Sequence, residues 1–202
     1  MRAIVVTAVA AACIGALAAS AVVFQDRIAA TGGQIATSGK ALIGGPFTLV
    51  DHNGRTVADT DFKGKPLLVF FGFTHCPDIC PQSLQVLTEA METLGNKADA
   101  VRPVFVSVDP ERDTPENLKA YVEAFHPSII GLTGTVDQVA GVVKAYRVYA
   151  RKVALEGSAA DYTMDHSAFI YLMDADGNFV RHFNHGIKPA ALAEGLKDHL
   201  SG

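Results

Sequence analysis

The chain has 202 residues, among them three cysteines, seven histidines and no tryptophan, and its 17 Lys and Arg against 21 Asp and Glu leave a net charge of −4. That balance supplies no basic patch, which excludes nucleic acid as a partner held by ordinary phosphate electrostatics. With the apolar N-terminus set aside, 178 residues remain, enough for one domain with its own core, and the 49% hydrophobic content of the whole is inflated by that terminus.

Residues 3–24 carry no charge and are interrupted only by Thr7, Gly15 and Ser20. As a helix the run measures about 33 Å, against about 30 Å of bilayer hydrocarbon. Arg2 and the terminal amine precede it, so the N-terminus stays in the cytoplasm and everything after Gln25 lies outside. Residues 1–24 are therefore expected to form a single transmembrane helix that anchors the chain. A cleaved signal peptide competes, because Ala19-Ser20-Ala21 resembles a cleavage site. Lipidation at Cys13 fits worse, since Ala10-Ala11-Ala12 lacks a large apolar residue three before the cysteine. Residues 25–45 follow as a flexible tether, with Gly32, Gly33, Gly39, Gly44 and Gly45 spread among Thr, Ser, Ala and Gln. A flexible chain of about 20 residues spans roughly 25 Å, enough to reach a neighbouring membrane protein.

The domain is expected at 46–202. Phe47-Thr48-Leu49-Val50, the turn His52-Asn53-Gly54-Arg55 and Thr56-Val57-Ala58 read as a β-hairpin. The apolar run 67–73 reads as a buried strand, and 82–94, with Leu84, Leu87, Met91 and Leu94 at helical spacing, as a helix. A second interior strand covers 104–108. Thr114-Pro115 opens a helix to about Phe125, and Thr135-Val136-Asp137-Gln138 matches a capping box for another ending near Tyr146. Strands are expected at 149–155 and 168–174, the turn Asp176-Gly177-Asn178 leads to a strand at 179–183, and 189–200 closes as a helix. A hairpin, then βαβα, then a second hairpin and a helix make an α/β fold with a central mixed sheet. A thioredoxin-like fold accommodates that order and puts the turn after 67–73 at a carboxyl end of the sheet, where α/β sites occur.

That turn holds Cys76 and Cys80, in Phe71-Gly72-Phe73-Thr74-His75-Cys76-Pro77-Asp78-Ile79-Cys80-Pro81. Unpaired backbone N–H groups and the helix dipole favour thiolate at a strand-to-helix turn. The CxxxC spacing suits two sulfurs converging on one soft metal ion and also allows a disulfide. Inert packing is the bland alternative, but prolines after both cysteines and Asp78 between them argue against it. A structural zinc site usually takes four Cys or His ligands in two close pairs, and the third cysteine, Cys13, lies in the apolar terminus. Outside the membrane a close dithiol tends towards disulfide unless a reductant or a metal intervenes.

The residues alone leave the completing ligand open. His52 lies in a turn and His199 near the end of the last helix, both read as exposed; His126 precedes Pro127 in a loop. His182 and His185, three apart on a strand, face opposite sides. His75 adjoins Cys76, and sequence neighbours rarely converge on one ion. His166, in Asp165-His166-Ser167, stands at the entrance to the strand after it and can face the cysteine turn across the sheet end.

A resemblance narrows the choice. The run 71–81 resembles the signature of the Sco/SenC family of copper proteins, Val106-Ser107-Val108-Asp109-Pro110-Glu111-Arg112-Asp113-Thr114-Pro115 resembles its second motif, and Asp165-His166-Ser167-Ala168-Phe169-Ile170-Tyr171-Leu172 its third. The three stand in the family's order from about Gly45 to the C-terminus. The resemblance implies a thioredoxin-like domain that binds one copper per chain, Cu(I) or Cu(II), through Cys76, Cys80 and His166. It implies a metallochaperone, in the periplasm and anchored to a bacterial cytoplasmic membrane, that serves assembly of the binuclear copper centre of cytochrome c oxidase. Its partners would be the copper-bearing oxidase subunit, other periplasmic copper chaperones and thiol reductants. The 109–115 motif carries no ligand and reads as a structural turn; Met164 reads as a core or surface side chain, and Asp165 as a group that orients His166.

The chemistry agrees: soft thiolates select Cu(I), and imidazole suits both oxidation states. The alternative is a thiol–disulfide oxidoreductase, with Cys76 and Cys80 as a redox-active disulfide, acting on an oxidase subunit or another exported protein. Thioredoxin-type enzymes use CxxC and a facing cis-proline, whereas here the spacing is CxxxC and the facing segment offers His166. A peroxidase with a single peroxidatic cysteine is weaker still, since it needs neither Cys80 nor His166.

Overall fold

The computed structural model describes residues 42–155 and 161–201. The run read as a membrane anchor, and the tether up to residue 41, lie outside the described residues. Among those described, no helix is long and apolar enough to cross a membrane.

The domain opens with a hairpin of β1 (Thr48–Asp51) and β2 (Thr56–Ala58). Then β3 (Leu67–Gly72), α1 (Ile79–Leu94), β4 (Arg102–Ser107), α2 (Pro115–Glu123), β5 (Ile130–Thr133) and α3 (Val136–Ala145) alternate. A hairpin of β6 (Ala150–Ala154) and β7 (Tyr162–His166) follows, then β8 (Phe169–Met173), β9 (Phe179–Asn184) and α4 (Pro189–Ser201). Seven strands make one sheet in the order β2-β1-β5-β4-β3-β8-β9, and β6-β7 form a separate two-stranded sheet. β3, β4 and β5 run parallel, while β8 joins β3 and β1 joins β5 antiparallel. The expected mixed sheet is present.

β3 is the spine. All six of its residues, Leu67 to Gly72, are buried, the unbroken apolar pattern of a strand covered on both faces. On one face Phe70 meets Phe105 at 6.0 Å between ring centroids, and Tyr121 of α2 stands 5.6 Å from Phe105. On the other, Phe71 lies 5.2 Å from Tyr146, at the end of α3, and 6.0 Å from Tyr171. α1 packs along α4. Both expected caps form: the Thr114 side chain accepts from the Asn117 N–H, and Thr135 and Gln138 complete a capping box.

Two strands go beyond the sequence pattern. β5 has four residues with a glycine inside, too short to announce itself. Gly131 serves packing, since a Cβ there would stand 2.7 Å from Leu118 Cγ. β7 is half exposed and lacks an apolar run, so His166 is the last residue of a strand rather than a loop residue before one. α1 begins at Ile79, three residues before the first expected helical position, which brings Cys80 into its first turn.

Candidate metal centre

β3 ends at Gly72, and the chain turns through 73–78 into α1. Asp113, fully buried, pins this turn: it accepts from the Thr74 N–H at 3.1 Å and the Thr74 hydroxyl at 2.6 Å. It also accepts from the Ser107 hydroxyl at 2.6 Å. Burial raises the Asp113 pKa and these donors pull against it. The 109–115 motif thus holds the turn that carries the cysteines.

Cys80 is fully buried and Cys76 half-buried, and both are free. The Cys80 N–H, one of the donors that a helix start leaves unpaired, lies 3.4 Å from Cys76 Sγ. The two sulfurs are therefore brought together by a turn feeding a helix rather than by one helical face. Gly72 makes room for this: a Cβ there would stand 2.8 Å from both Cys80 Sγ and the Phe105 ring.

The sulfurs share one proton unequally. The Cys80 thiol donates to Cys76 and is the chief reason the Cys76 pKa falls from 9.0 to about 3, with partial burial opposing and His166 and backbone N–H groups assisting. Cys80 moves the other way: its bond to Cys76 and its burial push its thiol far up. The arrangement is a half-exposed thiolate over a buried thiol. Among the described residues the buried Tyr121 hydroxyl has no hydrogen-bond partner.

His166 approaches from β7. Its Nδ1 lies 3.1 Å from the Ser167 carbonyl and its Nε2 lies 3.5 Å from Cys80 Sγ. A carbonyl only accepts, so Nδ1 carries a proton, and Nε2 is the ring nitrogen that faces the cysteine pair. The imidazole stands edge-on to Phe73, with ring centroids 5.8 Å apart. Ser167 rather than Asp165 orients the ring; the Asp165 side chain is exposed.

Among the described residues no set of three or more His, Cys, Asp or Glu side chains is already gathered to hold a metal ion. The contacts are those of Cys76 with Cys80 and of His166 with both cysteines. Thiolate and imidazole donors at about 2.3 and about 2.0 Å from one ion, in tetrahedral arrangement, stand roughly 3.5 Å apart. The Cys80–His166 separation of 3.5 Å matches this.

The other histidines lie elsewhere. His75 Nδ1 sits 3.0 Å from the Thr74 hydroxyl, and His126 Nδ1 sits 2.7 Å from that of Ser128. His52 is half-buried rather than exposed, because its Nδ1 accepts from the Gly131 N–H at 2.8 Å and ties β5 to the first turn. His182 lies against the Phe169 and Phe179 rings, His185 reaches Ser83, and His199 belongs to α4. Met164 packs at the core's edge.

A mixed sheet with a cysteine turn at the carboxyl end of its central strand makes this a thioredoxin-like α/β protein. Three comparisons narrow it. The SCO1/SenC family model matches residues 35–201. Protein sco1 of Schizosaccharomyces pombe is 42% identical over 164 residues, covering 80% of this chain and 62% of that protein; the chain thus spans less than two thirds of that relative. The copper-bound structure of Bradyrhizobium japonicum ScoI superposes with a TM-score of 0.72 at 52% identity, over 77% of this chain and 98% of that one. BsSco, described as a member of the Sco family of cytochrome c oxidase assembly proteins with a disulfide switch, superposes with a TM-score of 0.60 at 25% identity, over 76% of this chain and 91% of that one. The chain belongs to the SCO1/SenC family.

Proposed function

We propose that this chain binds one copper ion through Cys76, Cys80 and His166 and delivers it to the binuclear copper centre of cytochrome c oxidase during assembly. The observation that carries the reading is the approach of His166 Nε2 to 3.5 Å from Cys80 Sγ across 86 residues of chain, as two ligands of one ion require. The likeness to a copper-bound ScoI and to an oxidase assembly protein supports the metal and the destination. Copper here is cargo. Two thiolates and a neutral imidazole leave Cu(II) with an uncharged site and Cu(I) with one negative charge, so neither state is excluded. Three ligands leave a position open, as release to an acceptor demands. In this reading residues 1–24 anchor the chain in a bacterial cytoplasmic membrane, the following residues tether it, and the domain, to which Leu42 and Gly44 are already hydrogen-bonded, holds the copper in the periplasm.

Each ligand has its part. Cys76, more exposed and already thiolate, meets the ion first. Cys80 gives up its proton as the ion takes its place between the sulfurs. His166 completes the site with the lone pair that Ser167 leaves free. Copper stoichiometry of the full-length protein is the test: one equivalent is expected after reduction and none with the Cys76–Cys80 disulfide closed, because a disulfide sulfur has no thiolate charge to donate. Undiminished binding by fully oxidised protein rules the reading out.

The half-exposed Cys76 thiolate favours a second reading, reduction of a disulfide on the oxidase subunit or another exported protein. Cys76 would attack one target sulfur and expel the other as a thiolate. Cys80, passing its proton to that leaving group, would then close the Cys76–Cys80 disulfide and free the second target thiol. Two electrons pass to the target, and an external thiol reductant restores the pair. His166 makes and breaks no bond in that sequence and only assists the Cys76 thiolate, whose chief donor is Cys80, which separates the two readings.

A further inference from the structure

His166 sits on a hairpin that belongs to neither edge of the main sheet. Among the described residues, β6 and β7 hydrogen-bond beyond their own hairpin, apart from the contacts of His166 itself, only to Asp109, Glu111 and Arg112. Arg112 Nη1 donates to the Tyr162 carbonyl at 3.0 Å and Arg112 Nε donates to Asp109 Oδ2. Tyr162 Oη donates to the other Asp109 oxygen at 2.8 Å and closes the ring of contacts. The guanidinium carbon lies 3.8 Å from the Tyr162 ring centroid and 5.8 Å from that of Phe73, the ring against which the imidazole stands. One residue further on, Asp113 grips Thr74 and with it the cysteine turn. A single segment, 109–113, therefore holds both halves of the site.

We propose that Arg112 is a positioning residue for the metal centre: wedged against Tyr162 and Phe73, it sets the distance between the His166 hairpin and the cysteine turn. The proposal rests on the copper reading above. A planar fork can bond a carbonyl and a carboxylate while stacking on an aromatic ring, which an ammonium cannot reproduce. The guanidinium is kept although its buried Nη2 has no partner among the described residues. The exposed Lys152–Glu111 pair, at 2.6 Å, adds little to this hold.

The test is titration of reduced full-length protein with Cu(II) and, separately, Cu(I), for wild type, Arg112→Lys, Tyr162→Phe, His166→Ala and the Arg112→Lys/His166→Ala double variant. Arg112→Lys should weaken Cu(II) binding about 10- to 100-fold and alter the Cu(II)–thiolate absorption, with Cu(I) binding changed less than about threefold. Tyr162→Phe, which removes only the bond to Asp109, should show a smaller loss in the same direction, and it is the deciding variant if Arg112→Lys lowers the unfolding midpoint of the apo protein. In the His166→Ala background, Arg112→Lys should cost nothing further. Wild-type Cu(II) affinity and spectrum in both single variants overturn the proposal, as does an equal loss with and without His166, which marks a general structural role. Failure of the wild type to bind copper overturns the copper reading, and the proposal falls with it.

Discussion

Cys76 and Cys80 are four positions apart and chemically unlike, because one lies half open at the turn and the other against Gly72 and Phe105. With the Cys76 pKa lowered from 9.0 to about 3, iodoacetamide at pH 5.5 should label Cys76 and spare Cys80. The Cys76 rate should stay nearly flat from pH 8 to 5, where an ordinary thiol slows about tenfold per pH unit. Peptide mapping of the alkylated protein checks it, and equal labelling of both cysteines contradicts the assigned proton. His166→Ala should keep a reducible Cys76–Cys80 pair, lose the Cu(II)–thiolate absorption and fail to support oxidase assembly, since two thiolates alone hold Cu(II) poorly. Oxidase activity of a complemented deletion strain at limiting copper is the measurement; full restoration by His166→Ala leaves reduction of the target as the function. Gly72→Ala should destabilise the fold by about 1–3 kcal/mol, because the new methyl meets a buried sulfur and a buried ring. Denaturant unfolding together with Cys80 alkylation reports it, and unchanged stability with Cys80 still protected contradicts the close packing.

Local chemistry decides some elements and context decides others. Thr114-Pro115 and Thr135 with Gln138 announce two helix starts because a hydroxyl satisfying an orphan N–H is a local event, complete within four residues. Thr135→Ala should therefore cost about 1 kcal/mol in urea unfolding and leave copper affinity unchanged, since α3 carries none of the three proposed ligands. A change in affinity would tie α3 to the site. β5 and β7 have no such signature. β5 exists because β4 and β1 flank it and supply its hydrogen bonds, and β7 because β6 folds back on it in register, His166 opposite Ala150. Neither partnership can be read from the four or five residues involved.

Across the whole molecule, the described residues show the domain bonded to the chain ahead of its first strand. The Gly44 N–H donates to the Ala145 carbonyl at 3.0 Å, and Arg147 Nε donates to the Leu42 carbonyl at 2.9 Å. A fragment beginning at Ala41 should fold and bind one copper when reduced, and trimming it to begin at 46 should lower its unfolding midpoint. Metal analysis and thermal melts of the two fragments decide this; stoichiometric zinc that copper cannot displace sinks the metal assignment.

What the amino-acid order determined unaided was whatever physical chemistry completes over a short stretch. That includes the buried run of β3, the CxxxC turn into a helix, the helix caps, and the three motifs whose order resembles one family. What only the tertiary structure decided was which groups meet. It chose His166 Nε2 for Cys80 through Ser167 rather than Asp165, set the proton on Cys80 rather than Cys76, and gave segment 109–113 its grip on both halves of the site. Those outcomes depend on distances between residues tens of positions apart. Hydrogen bonds and pKa values change over a few ångströms, and only the packed sheet fixes separations on that scale.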